Sequence, residues 1–94
     1  MKKKKRKLTS ITTVTGIVTK RPQRVNSITD KVMASMMIDV QSNIRSNYPM
    51  KVIGFDEHAL NLMLCRKGKT VIISGRFSYW RGYQIIINKL SYIN

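Results

Sequence analysis

Ninety-four residues allow one domain built on a single modest core. Eighteen Lys and Arg against four Asp and Glu leave a net charge of +14, while 43% hydrophobic residues are too many for a disordered basic tail. One cysteine excludes a disulfide scaffold and a cysteine-built zinc site, and it points to a reducing compartment.

Residues 1–8, with six consecutive cations from Lys2 to Lys7, read as a disordered basic arm; residues 9–94 read as the folded domain. No apolar stretch follows the arm, so it is not a secretory signal. No apolar run approaches the roughly 18–20 residues that span a membrane. Thr9 to Lys20 is rich in Thr, Val and Ile and predicts a first strand, with Gly16 marking a bulge or bend. Arg21 to Ser27 is polar and carries Pro22, which predicts a loop. Lys31 to Val40 alternates: Val32, Ala34, Met36, Ile38 and Val40 share one face of a second strand, and Met33, Ser35, Met37 and Asp39 the other. Gln41 to Asn47 is a second polar connection, and Tyr48 to Phe55 a third strand with Pro49 near its start.

Asp56 has the chemistry of a helix N-cap, with Glu57 in the first turn. Ala59 to Cys65 would form a helix of about three turns, with Arg66 and Lys67 at its C-terminus and Gly68 as its stop. Lys69 to Ser78 predicts a fourth strand, with Gly75 as a second bend; Tyr79 to Gly82 predicts a turn, and Tyr83 to Ile93 a fifth strand. No internal repeat is evident. Five strands with one short helix between the third and fourth is the order of the OB fold, a mainly β, Greek-key barrel of five strands. Glycine bends in the first and fourth strands suit the closure of so small a barrel.

The sequence also resembles the bacterial single-stranded DNA-binding protein family, including the primosomal replication protein of the same fold. The resemblance runs from about Thr9 to Ile93. It is carried by Val14-Thr15-Gly16-Ile17-Val18 with Pro22 shortly after, the alternation to Val40, and Met50-Lys51-Val52-Ile53-Gly54. It continues through Leu64 to Arg76, where a helix ending in Lys-Gly leads into a strand ending in Gly-Arg. Two features depart from the family: no acidic tail follows the last strand up to Asn94, and a lysine run precedes the first. The resemblance therefore implies a dedicated accessory of one replication system, working beside a primase, polymerase or helicase in the cytoplasm of a bacterium or for a mobile element, with the primosomal relative as the nearer analogue.

The charge supports a nucleic-acid partner independently. A surplus of cations attracts polyanions, and Lys and Arg release the counterions condensed on phosphates. Binding a single strand further needs flat side chains on which bases stack. Lys20, Arg21 and Arg24 belong to the first predicted loop; Arg45, with Tyr48 and Lys51 just beyond, belongs to the second. The last hairpin carries Arg76, Tyr79, Trp80 and Arg81, and Trp80 beside Arg81 at its tip suits stacking better than burial. Phe77 and Tyr83 share the register of core residues, so both core and stacking roles stay open for them. These cations and aromatics form the candidate nucleic-acid site.

Catalysis has little to work with. Asp56-Glu57-His58 holds the sole histidine, and consecutive helical positions point about 100° apart, which does not converge on a metal or substrate. Cys65 reads as a small buried hydrophobe, and no phosphate-cradling glycine loop is present. The sequence thus implies no enzyme, no metal and no cofactor. Met33 and Met37, with Ile86 and Leu90, form an apolar outer face that a partner, a second copy in a homodimer, the helix or a loop would cover. The leading expectation is a single-stranded DNA-binding accessory of replication with low sequence specificity. The alternatives are a docking scaffold subunit of a replication complex and an RNA-binding OB-fold protein of translation.

Overall fold

The computed structural model describes residues 11–26, 31–79 and 81–93. The lysine run, Ser27 to Asp30 and Trp80 lie outside these residues. In chain order the elements are β1 (Ile11–Val25), β2 (Met33–Val40), β3 (Tyr48–Phe55), α1 (Glu57–Met63), β4 (Thr70–Tyr79) and β5 (Tyr83–Ile93). The strands close into a barrel in the order β1-β2-β3-β5-β4, the five-stranded OB barrel expected, with α1 between β3 and β4.

Local patterning explains most of this. Ala34, Met36, Ile38 and Val40 of β2 are buried as their alternation requires, and Met50 and Val52 of β3, Val71 and Ile73 of β4, and Ile85 and Ile87 of β5 meet them inside. The helix sits across one end of the barrel, where Ala59 and Leu62 are completely buried. Among the described residues no polar or charged residue is buried, so apolar side chains fill the interior.

Three expectations are corrected. Arg21 to Val25 is not a loop: β1 runs on to Val25 beside β2. The register slips between Val18 and Lys20 and again between Lys20 and Gln23, so Pro22 lies where the ladder already skips a pair. The helix is only Glu57–Met63, and Asp56 at its start makes no side-chain capping bond and has φ of 53°. Leu64 closes it; Arg66 and Lys67 follow the helix rather than ending it, and Gly68 with φ of 90° belongs to the next turn. Finally, Leu90 packs against the core instead of sharing an outer face with Ile86. Ser74 pairs with Lys89 and Gly75 with Ile87, which leaves Asn88 as an extra residue and reverses the alternation beyond it.

The two strand glycines serve close approach. Gly16 pairs with both Val40 and Val71, and a Cβ there would lie 2.9 Å from Ile38 Cδ1. Gly75 stands at the β5 bulge, and a Cβ there would overlap the Ile86 carbonyl. Backbone cannot swing aside as a side-chain methyl can. Gly75→Ala should therefore destabilise the fold by about 3 kcal/mol. Gly68→Ala, strained in φ but with open space around it, should cost about 1 kcal/mol. Urea denaturation of the two variants measures both, and equal losses would show that the Gly75 contact is unimportant.

Candidate nucleic-acid interface

The strand registers align one row of outward residues across all five strands. Lys20 of β1 pairs with Met37 of β2, Met37 with Lys51 of β3, and Lys51 with Gln84 of β5. The row ends on β4, where the Gln84 amide Nε2 donates to Ser78 Oγ at 3.0 Å. Lys20 and Lys51 are exposed, with the thioether of Met37 between them. Lys20, Arg21, Gln23, Ser35, Met37 and Lys51 line one groove on this face; Met37, Pro49, Lys51, Arg81, Tyr83 and Gln84 line the next. Shared Met37 and Lys51 make the two continuous, a basic channel with no carboxylate in its lining.

An aromatic cluster lies at one end of this channel. Tyr83 is its hub: ring centroids of Tyr48, Phe77 and Tyr79 stand 5.3, 5.4 and 5.4 Å away. Tyr48 and Tyr79 meet it edge-on, and Phe77 lies tilted against it at 35°. Tyr48 and Tyr83 also pack on the core, whereas Phe77 is 41% and Tyr79 69% exposed. Tyr83 thus takes part in the core while Phe77 stays exposed at its edge, because the inward face of β4 and β5 runs past the end of the barrel and emerges into solvent.

The connection between β2 and β3 places a cation on this cluster. Its polar residues bond among themselves: Asn47 Nδ2 donates to Gln41 Oε1 at 3.1 Å, and the Ile44 and Arg45 amides each approach Ser42 Oγ at 3.3 Å. This stitching holds the Arg45 guanidinium 4.2 Å above the Tyr48 ring and 5.7 Å from Tyr83. Tyr48 first, then Tyr83, raise the already high pKa of Arg45.

The predicted site residues therefore divide. Lys20, Arg21, Lys51 and Arg81 come together along the channel, and Arg45, Tyr48 and Tyr79 gather at the aromatic end. Arg76 points outward one row away, paired with Ile86. Arg24 is not brought to the channel, because it pairs with inward-facing Ala34 on the opposite face of the strand from Gln23. Trp80 is outside the described residues. Sequence reasoning missed Gln84, Ser35 and Gln23; the polar position of Gln84 in the Ile85-Ile86-Ile87 alternation was the available signal for the first. Met37 was assigned outward, but its place between two lysines follows only from register.

Among the described residues the other titratable groups form no second site of this kind. Among the described residues no three His, Cys, Asp or Glu side chains converge to hold a metal ion. Asp56 and Glu57 are exposed and His58 is half-buried. At the helix end of the barrel, Cys65 Sγ lies 3.7 Å from the Tyr92 hydroxyl. Burial pushes the Cys65 thiol up, and the contact with Tyr92 partly offsets it. Burial of its hydroxyl end, then the contact with Cys65, push Tyr92 up to about 12.

No protein-family model matches the sequence, and no curated protein matches it. Solved structures do. The small single-stranded DNA-binding protein of Streptomyces coelicolor superposes with a TM-score of 0.84 at 14% identity, over 94% of this chain and 95% of that one. PriB of Ralstonia solanacearum gives 0.77 at 11% identity, over 93% and 100%. The chain has the OB fold of these proteins. The N-terminal domain of Thermoanaerobacter tencongensis PriB, described as dimeric, matches at 0.70 and 11% identity, over 89% of this chain and 96% of that domain. At such identities the shared property is the barrel with its helix.

The Tyr92 shift carries a pH dependence. The folded chain keeps this proton to about 12, whereas an ordinary tyrosine loses it near 10. Between those values the unfolded state binds fewer protons, so this contribution is whole below pH 10 and is lost as pH rises toward 12. The urea midpoint of wild type should therefore fall relative to that of Tyr92→Phe as pH rises across this window; a constant difference would refute the shift.

Proposed function

We propose that this protein is a single-stranded DNA-binding accessory of replication with low sequence specificity. The observation that carries the reading is the outward row Lys20-Met37-Lys51-Gln84, which leads into the Tyr48, Phe77, Tyr79 and Tyr83 cluster. Cations spaced along a groove follow a phosphate backbone, and exposed rings receive unstacked bases whatever their identity. A duplex would present phosphates to the channel but no free base faces to the rings.

On this reading Lys20, Arg21, Lys51 and Arg81 track the backbone. Tyr79 and Trp80 stack bases, and Arg45 over Tyr48 extends the flat surface with a guanidinium plane. Arg76 and Arg24 add charge from neighbouring faces. The lysine run from Lys2 to Lys7 supplies phosphate contacts indifferent to strandedness. The protein assists a primase, polymerase or helicase, and a homodimer would present two channels. Support comes from the structural likeness to single-stranded DNA-binding and PriB proteins, one of the latter described as dimeric.

Fluorescence anisotropy with equal-length single-stranded DNA, duplex DNA and single-stranded RNA, at low and physiological salt, tests the reading. Single-stranded DNA should bind tightest and keep its advantage in salt. Lys51→Ala should reduce the salt slope by about 0.7. Tyr79→Ala should cost about 1–3 kcal/mol with the slope unchanged. Deleting Lys2 to Lys7 should lower low-salt affinity and leave the strand preference intact. Equal binding of all three ligands that collapses in salt would overturn the proposal, and a preference for RNA would move the protein to translation.

A further inference from the structure

The end of the barrel opposite the aromatic cluster is also unusual. Leu60, Met63 and Leu64 fall at helical spacings of three and four; Leu60 and Leu64 turn away from buried Ala59 and Leu62, and Met63 lies at the edge between the two sides. They are 62%, 45% and 72% exposed. At the far end of β5, Tyr92 and Ile93 are 48% and 46% exposed, and Leu64 joins them in lining a pocket of about 230 Å³, room for one large apolar side chain. Arg66 and Lys69 complete that pocket. Met63 faces an adjoining groove with Arg21, Arg66 and Lys67, so the apolar surface is continuous past Arg66 and fenced by cations. No carboxylate lines either depression. A domain this small gains nothing in folding from grouping these side chains in water.

We propose that this surface docks an acidic, apolar polypeptide segment of a partner protein. Its apolar side chain fills the pocket between Leu64, Tyr92 and Ile93, while its carboxylates pair with Arg66 and Lys69. Charge selects this occupant over the others. A second copy, itself at +14, would set Arg66 and Lys69 against like charges in a desolvated interface. The lysine run carries the same wrong sign. A nucleic-acid strand has the right charge, but the aliphatic side chains of Leu60, Met63 and Leu64 offer its bases no flat face. Arg21 borders both the channel and the groove beside Met63. The pocket between Leu64, Tyr92 and Ile93 excludes it and lies at the end of β3, β4 and β5 opposite the aromatic cluster, so the barrel can hold a strand and a protein segment together.

The probe is a short fluorescein-labelled peptide alternating Glu with Leu and Phe, titrated with the full chain. Two controls accompany it: a Glu-only peptide, and one with Lys in place of each Glu. The acidic apolar peptide should bind and both controls should bind far more weakly. The Leu60→Ser, Leu64→Ser double variant and Arg66→Glu should each weaken it about tenfold. These positions are exposed, so the fold should survive, which a thermal melt checks. Single-stranded DNA affinity should be unchanged in both variants, and DNA should not displace the peptide. The inference is overturned if the leucine variant binds the peptide as wild type does, if Glu-only peptide binds equally, or if DNA competes the peptide away. Concentration-dependent self-association abolished by the leucine variant would instead assign the surface to a second copy. Failure to bind single-stranded DNA would sink the proposed function while leaving the peptide result readable.

Discussion

The short parallel seam between β3 and β5 is the constraint on which the molecule depends. Among the described residues only Lys51 with Gln84, Val52 with Ile85 and Ile53 with Ile86 are paired there, and every other strand pairing is antiparallel. The seam turns an open sheet into a barrel and brings Val52 against Ile85 in the core. The cost of closing the intervening chain grows only slowly with its length, so apolar burial can offset it. The same pairing that closes the core also builds the surface. It sets Lys51 beside Gln84, and it brings the Tyr48 ring to within 5.3 Å of Tyr83.

Irregularities in the ladders then decide which side chains face outward. In β1 the slips around Thr19 and around Arg21-Pro22 put Lys20 opposite outward Met37, although simple alternation from buried Val18 would have turned Lys20 inward. In β5 the extra Asn88 carries Leu90 inward. One residue more or less in a strand exchanges its faces, so a basic channel on this barrel is as much a product of bulges as of lysines.

The barrel also separates two kinds of surface along its axis. Inward-facing positions of β4 and β5 run out past the core as Phe77, Tyr79 and Tyr83, giving flat rings beside cations. At the other end α1 covers the core with Ala59 and Leu62 and leaves its second apolar face in water. Charge is shared by both ends, so shape and side-chain type distinguish them: aromatic at one, aliphatic with a single pocket at the other.

Local chemistry in the sequence determined the five strands, the helix between the third and fourth, the inward face of β2 and the excess of positive charge. Each of these depends on neighbours two to four residues away, or on a sum over the chain that folding does not alter. The helix was read too long because Leu64 and Cys65 continue an apolar pattern whose hydrogen bonding has already stopped, and Asp56 marked the right position without making the cap. What only the tertiary structure decided is where charge and rings meet: Lys20 with Lys51, Arg45 over Tyr48, and Arg24 away from the channel. Those relations come from register, bulges and a parallel pairing between residues far apart in the chain, and none of these leaves a local pattern to read.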